Sequence, residues 1–168
     1  MSAQSQPIAE PGGIAGLVAW AIGLFEKIPH GFIAIVARFS IAAVFWKSGQ
    51  TKVQNFTLDF VAGEFKLGIP KLSDSAIELF KEEYKMPFPE LMAPLAAFAE
   101  HLFPFLILIG LATRFSALAL LIMTLVIQIF VYPGAYALHG TWMAILLYLM
   151  ARGAGVLSVD HLISKNRG

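Results

Sequence analysis

The chain has 168 residues, of which 58% are hydrophobic and 14% charged, and its formal net charge is +1. Soluble domains average roughly half apolar and a quarter charged residues. A chain this short cannot bury so many additional apolar side chains in the core of a water-soluble domain. The composition therefore excludes an ordinary soluble domain, and the small net charge gives no indication of a nucleic-acid partner. The sequence has no cysteine, so disulfides and thiol redox relays within the chain are excluded too.

Four hydrophobic stretches are long enough to cross a bilayer core, which takes roughly 20 apolar residues. Each must satisfy its own backbone hydrogen bonds in lipid, so all four are predicted to be helices. They run from about Gly31 to Ser48, from Leu91 to Leu111, from Phe115 to Tyr132 and from Tyr136 to Ala151. The predicted fold is thus all-α, a polytopic membrane bundle of four transmembrane helices. It occupies residues 31–163 and is followed by a tail of residues 164–168.

The N-terminal segment, residues 1–30, holds a fifth apolar stretch from Gly12 to Phe25. This stretch is short for a span, and Glu26 and Lys27 close it. We interpret it as a short interfacial or re-entrant helix rather than a fifth span. No lysine or arginine precedes Lys27, so the segment lacks the positive region of a secretory signal.

Residues 49–90 form the long connection between the first two spans, and we expect an extramembrane loop with a short helix there. The other connections are short turns. With four spans, both termini and the turn before Arg114 share one side of the membrane. Lysine and arginine in short loops and near helix ends favour the cytoplasmic side. We therefore predict cytoplasmic termini and an outer location for the long loop.

Three ionisable residues fall inside the predicted spans: Arg38 in the first, and Glu100 and His101 in the second. Such groups are costly in lipid and usually face the bundle interior. At 1.5 Å per residue, Arg38 and Glu100 lie within roughly 6 Å of each other in depth, which predicts an ion pair between them. The pair could serve only helix registration, Arg38 could instead extend to the interface, or the three residues could form a ligand or proton site.

A second group of polar residues falls near the outer ends of the spans. These residues could line a polar pocket, or they could form the belt of aromatic and basic residues typical of a membrane interface. The group comprises Lys47, Gln50, Lys52, Gln128, His139 and Trp142. No metal site is predicted. His101 and His139 differ by roughly 15 Å in depth, which does not suit a haem held by two histidines.

Several spaced motifs resemble the DoxX family of small bacterial membrane proteins. Arg38 is followed by Phe45-x-x-x-Gly49-x-x-Lys52, and Pro87 precedes the second span. Ala99-Glu100 lies ten residues before Gly110-Leu111-Ala112-Thr113-Arg114-Phe115-Ser116-Ala117. The closing Arg152-Gly153-Ala154-Gly155-Val156-Leu157-Ser158-Val159-Asp160 is similar to the C-terminal signature of that family. The resemblance covers about residues 30 to 163 and implies a four-helix bundle in the bacterial inner (plasma) membrane.

The resemblance implies little about activity, since some relatives are subunits of a thiosulfate:quinone oxidoreductase and many have no assigned activity. Our first hypothesis is a membrane subunit or anchor of a quinone-linked redox complex, and we expect a non-catalytic subunit rather than an independent enzyme. It would contact the lipid bilayer and a soluble or membrane oxidoreductase partner, and could hold a quinone near Arg38, Glu100 and His101. A ligand-free assembly or scaffold protein and a small-molecule carrier, acting as a homo-oligomer, are the alternatives.

Overall fold

A computed structural model describes residues 13–59 and 63–166 of the chain. The first twelve residues of the predicted N-terminal segment and the last two residues of the predicted tail lie outside these ranges, as do residues 60–62 of the long connection.

The described residues form seven α-helices and one β-hairpin. In chain order the elements are α1 (Ile14–Glu26), α2 (His30–Gln50), β1 (Val53–Asp59), β2 (Glu64–Leu72), α3 (Asp74–Glu78), α4 (Pro89–Ile109), α5 (Thr113–Val126), α6 (Tyr136–Arg152) and α7 (Val159–Lys165). A π-helical turn follows α3 at Leu79–Glu83, and another, at Ile127–Val131, extends α5.

Four helical segments are long and apolar enough to cross a membrane: His30–Gln50, Pro89–Ile109, Thr113–Val131 and Pro133–Arg152. The prediction of a helical bundle with four spans is therefore confirmed, with boundaries shifted by a few residues. The side carrying the starts of α2 and α5 and the ends of α4 and α6 is called the termini side, and the opposite side is the hairpin side.

The four spans pack in a closed ring, in which α2 contacts α4 and α6, and α5 contacts the same two helices. Small residues are buried on both helices of the first pair, Ala34 and Ala37 on α2 and Ala93 and Ala97 on α4, and Gly49 of α2 lies directly against Glu100 and His101 of α4. Close approach over small side chains is the usual basis of helix association in lipid, where there is no hydrophobic drive between helices. Large apolar side chains point outward instead, among them Phe39, which is 58% exposed.

The long connection contains an antiparallel hairpin that the sequence reading did not anticipate, because it expected only a loop with a short helix. Strands β1 and β2 pair from Val53 opposite Leu72 to Asp59 opposite Glu64, with an irregularity at Asn55. Asn55 adopts a positive φ of 67°, and a Cβ on the facing Gly68 would lie 2.4 Å from the Asn55 carbonyl oxygen. The hairpin therefore requires a glycine at position 68.

The predicted short helix after the hairpin is present as α3 and its π-helical extension, which buries Ala76 and Phe80. The predicted N-terminal helix is present as α1, with 13 residues and no buried side chain. Since α1 is too short to span a bilayer and leaves its apolar residues uncovered, its interfacial location stays a prediction.

Candidate functional site

A buried ion pair joins the long connection to the second span on the hairpin side of the bundle. Lys52 Nζ lies 2.7 Å from Glu100 Oε2, and both side chains are 4% exposed. Lys52 also donates to the backbone oxygen of Ser48 at 3.2 Å and to its hydroxyl at 3.1 Å. The ammonium has three N–H groups, so these three acceptors satisfy it fully. This pairing brings Lys52 and Glu100 together at the core of a candidate site.

Next to this pair, His101 contacts Gln50 across the same two helices, with 2.7 Å between His101 Nε2 and Gln50 Nε2. The other ring nitrogen, Nδ1, lies 2.7 Å from the Ala97 carbonyl oxygen. A carbonyl can only accept a hydrogen bond, so Nδ1 carries the proton and Nε2 accepts from the Gln50 amide. His101 is half-buried, so it is more accessible than Lys52 and Glu100, which are each 3% exposed.

Two aromatic rings flank His101, with centroids 5.0 Å away for Trp46 and 6.3 Å away for Phe56, both in edge-on geometry. Trp46 and Gln50 also hold the hairpin in place. Trp46 Nε1 donates to the Leu58 carbonyl at 3.1 Å, and the Leu58 amide donates to Gln50 Oε1 at 2.9 Å. The last turns of α2 therefore bind both backbone polar groups of one β1 residue, and the hairpin covers the cluster.

Gly49 allows the two helices to meet at this cluster. A Cβ at this position would lie 2.8 Å from His101 Cε1, 2.9 Å from its Nδ1 and 3.1 Å from Glu100 Cβ. Such distances are shorter than van der Waals contact, so any larger residue would displace His101 or separate the helices. The Glu100 cluster is defined here as Trp46, Gln50, Lys52, Glu100 and His101.

The predicted ion pair between Arg38 and Glu100 is wrong. Arg38 donates instead to the backbone oxygens of four residues on the termini side, at 2.5 to 3.1 Å: Ile107, Leu108, Ala154 and Leu157. Ile107 is seven residues beyond Glu100, or about 10 Å along the helix, so the two charged groups occupy different levels of the bundle.

The physical reason is that α4 ends beside Arg38, where the last carbonyl groups of the helix can accept further donors. The Ile107 carbonyl accepts from the Gly110 amide at 3.0 Å and from Arg38 as well. Gly110 ends this helix in the left-handed conformation, with φ of 71°. A Cβ there would meet the Arg38 guanidinium at 3.1 Å and Ser158 Cβ at 2.5 Å. Arg38 thus ties the end of α4 to the segment after α6, and all of its observed hydrogen bonds serve this structural contact.

The predicted outer-end pocket separates into two clusters and one surface residue. Gln50 and Lys52 belong to the Glu100 cluster, while Lys47 is exposed. Gln128 Oε1 lies 2.7 Å from His139 Nδ1, and the His139 and Trp142 rings pack in a tilted arrangement with their centroids 5.0 Å apart. His139 is 3% exposed. These three residues form a second polar cluster between α5 and α6.

The sequence reading missed the contributions of Ser48, Phe56 and Leu58 to the Glu100 cluster. Ser48 lies four residues before Lys52, and this spacing places two side chains on the same face of a helix, so it could have been found. Phe56 and Leu58 belong to the unanticipated hairpin, whose docking depends on tertiary contacts.

Outside the spans, the π-helical turn after α3 contacts the hairpin-side end of α5. Tyr84 packs against Phe80 with ring centroids 5.0 Å apart and against Tyr132 at 5.9 Å. The Tyr132 hydroxyl donates to the Glu83 carboxylate. Burial raises the pKa of the Tyr84 phenol above its ordinary value, because the charged phenolate would lose its hydration. These contacts fix the long connection to the bundle at a second point.

Comparison with known proteins identifies the family. The DoxX family model matches residues 33–133, which is more than half of the chain and includes most of α2, the long connection, α4 and α5. An uncharacterized protein of Haemophilus influenzae (strain ATCC 51907 / DSM 11121 / KW20 / Rd) is 36% identical over 95 residues, a match that covers 48% of this chain and 63% of that protein. No solved structure matches the chain. With its four membrane-spanning helices, the chain therefore belongs to the DoxX family.

Proposed function

We propose that the chain is a membrane subunit of a redox assembly and that its Glu100 cluster holds a quinone-like ligand. The observation that carries this proposal is the buried Lys52–Glu100 pair beside the half-buried His101. Ionisable groups within a membrane domain usually mark ligand or proton pathways, since burying them is costly. The resemblance to relatives in quinone-linked complexes supports the same assignment.

The cluster has the chemical groups that a quinone headgroup requires. Quinone carbonyl oxygens accept hydrogen bonds, and Gln50 Nε2 has a second N–H beyond the one that it gives to His101. Lys52 and His101 would have to redirect donors that they now give to acceptors within the chain. The rings of Trp46 and Phe56 offer apolar edges beside His101, and ligand sites typically combine such surfaces with a few polar groups. Reduction of a quinone takes up two electrons and two protons. Glu100 and His101 would exchange the protons, and an oxidoreductase partner would supply the electrons.

Arg38 has no part in this proposed site. Its guanidinium already binds four backbone oxygens, and it lies on the termini side. The ligand site that we propose therefore keeps Glu100 and His101 from the sequence reading, replaces Arg38 by Lys52 and adds Gln50.

The test is native mass spectrometry of the protein extracted gently from its own membrane. We expect a bound species with the mass of a quinone, which is lost in His101→Gln. His139→Gln is the matched control, because it makes the same change in the second polar cluster of the hairpin side and should keep the ligand. A protein without any bound quinone, which also fails to bind added ubiquinone-1 or menadione, would overturn the proposal.

A second candidate function, a ligand-free scaffold, is favoured by one observation. All three Lys52 donors and the Arg38 guanidinium find acceptors within the chain, so neither needs a ligand for stability. This role predicts that Lys52→Met/Glu100→Met inserts, assembles with its partner and supports function as the unaltered chain does. The quinone-binding role predicts that this double variant assembles but loses function.

We further propose an inner-membrane location with cytoplasmic termini and an outer hairpin. The support is the bias of lysine and arginine near the helix ends of the termini side, where Lys27, Arg114 and Arg152 lie. Because the sequence has no cysteine, single cysteine variants report topology without background. Lys71→Cys on the hairpin should react with a membrane-impermeant maleimide in intact spheroplasts, and Ser164→Cys should react only after lysis. The reverse pattern would refute the orientation.

A further inference from the structure

The termini side has a cavity of about 580 Å³ that the proposed function does not use. It lies between the start of α5, the end of α6, the segment that follows α6, and α7. Its described lining residues include Arg114, Arg152, His30 and His161, and Asp160 is the one acid among them. Arginine pairs and neighbouring histidines in a recess are the groups that recognise phosphate, since guanidinium groups can bind its oxygens in bidentate fashion.

The carboxylate of Asp160 already accepts hydrogen bonds from other groups of the chain. It accepts from the backbone amides of Ala112 at 2.7 Å and Thr113 at 3.0 Å, which are the first free N–H groups of α5. The start of α5 is thus capped by the protein itself, and a bound anion would have to use the arginine side chains. A neighbouring depression adds Glu26 and Lys27, whose charges offset each other.

Two residues that line the cavity have side-chain donors with few or no partners. Thr113 lines the cavity, is 0% exposed, and its Oγ1 has no hydrogen-bond partner among the described residues. A buried hydroxyl without a partner is costly, and such groups in native structures often mark an unseen ligand or water. Arg114 donates one hydrogen bond, to the Met150 carbonyl at 2.9 Å, and a guanidinium has five donors. The cavity therefore has hydrogen-bonding capacity that the chain leaves unused.

The wall of the cavity continues into the surface that faces lipid. Phe115 and Val156 line it and are 78% and 59% exposed. Both belong to the end of the bundle where the spans leave the membrane. A phosphate group in the cavity would therefore lie at the depth of lipid headgroups, with apolar side chains beside it to receive acyl chains. Basic pockets between spans are typical binding sites of anionic lipid headgroups.

We propose that this termini-side cavity binds a phosphate-bearing anion through Arg114, Arg152 and the Thr113 hydroxyl. The phosphate of an anionic lipid headgroup and that of a soluble phosphate compound share this chemistry, and the experiment separates them. The site is distinct from the Glu100 cluster, which lies on the other side of the membrane domain.

The experiment is a native mass spectrometry titration of the full-length protein, delipidated in detergent, with phosphatidylglycerol, phosphatidylcholine and inorganic phosphate as separate probes. We expect phosphatidylglycerol to bind more tightly than the zwitterionic lipid. Arg152→Gln should weaken that binding by about tenfold, the size expected for one lost charge-assisted hydrogen bond. Lys165→Gln is the matched control, because it removes one positive charge from α7 outside the cavity lining, and it should change binding by less than about twofold.

The Thr113 hydroxyl gives a second test that does not alter charge. Thr113→Val should weaken phosphatidylglycerol binding by several-fold while leaving the unliganded protein at least as stable, because it removes a hydroxyl without a partner. Thr113→Ser keeps the hydroxyl and should keep the affinity. Binding of inorganic phosphate that is equally sensitive to Arg152→Gln would support the site and identify a soluble phosphate compound as its ligand. Unchanged affinity in both Arg152→Gln and Thr113→Val, or an equal loss in Lys165→Gln, would overturn the proposal.

Discussion

A double-mutant cycle at Lys52 and Glu100 tests the central ion pair of the structure. The two charges are 2.7 Å apart with side chains 4% exposed. Replacing one of them leaves the other buried without its partner, which typically costs about 3–5 kcal/mol, whereas replacing both by apolar residues of similar size is often close to neutral. We therefore expect Lys52→Met and Glu100→Met each to be strongly destabilising. The double variant should recover most of the loss, giving a coupling energy of at least about 3 kcal/mol.

The assay is reversible unfolding in mixed detergent micelles, followed by tryptophan fluorescence, with the free energy of unfolding measured for each variant. The matched cycle pairs Arg38→Met with Glu100→Met. Arg38 contacts α4 about 10 Å from Glu100, so these two changes should be additive within about 0.5 kcal/mol. A coupling below about 1 kcal/mol for Lys52 and Glu100, or a large one for Arg38 and Glu100, would refute the pairing described here.

Three further predictions follow from close contacts and burial. Gly49→Ala should destabilise the protein by about 1–3 kcal/mol, because its Cβ would lie 2.8 Å from His101. Gly140→Ala is the control and should be tolerated, because its Cβ would meet its nearest neighbour at 3.6 Å. Equal stability of the two variants would contradict this reasoning. Arg38→Met should cost at least about 3 kcal/mol, since it removes charged donors from four backbone carbonyls, two of them in buried hydrogen bonds. Hydrogen exchange of the segment after α6 should accelerate, and unchanged exchange would show that Arg38 does not hold that segment. Burial raises the pKa of Tyr84 in the folded protein. The contribution of Tyr84 to stability is therefore complete below the unfolded pKa of about 10 and is lost as pH rises through the higher folded pKa. Tyr84→Phe should remove this part of the alkaline loss of stability, and an identical alkaline transition in the variant would exclude Tyr84 as its source.

The sequence by itself determined the membrane domain. Length and apolar character define a spanning helix almost independently of its neighbours, because lipid forces each segment to satisfy its own backbone. The four spans could therefore be assigned from the sequence of residues 31–163, and the short helix α1 could be assigned from the apolar stretch of residues 12–25. The family resemblance was also readable in spaced motifs such as Gly110-Leu111-Ala112-Thr113-Arg114, and the family model over residues 33–133 confirmed it.

The sequence of β2 contains a pattern that predicts a strand, but the sequence reading did not use it. Phe65, Leu67 and Ile69 alternate with smaller or polar residues in β2, which is the period of a strand. Residues 49–90 were nevertheless predicted to be a loop with a short helix. The docking of β1 on Trp46 and Gln50 could not be read in this way, since it depends on where the last turns of α2 point.

Only the tertiary structure decided which charges meet. Depth arithmetic placed Arg38 and Glu100 within reach of each other, but it counted only charged partners. Backbone carbonyls at the end of α4 are equally good acceptors for a guanidinium, and the chain turn at Gly110 presents them beside Arg38. Lys52 lies two residues beyond α2, and the fold brings its ammonium back to Ser48 and Glu100. Sequence spacing fixes the helices and their order, whereas the partner of a buried charge depends on helix rotation and on the backbone groups left free at helix ends.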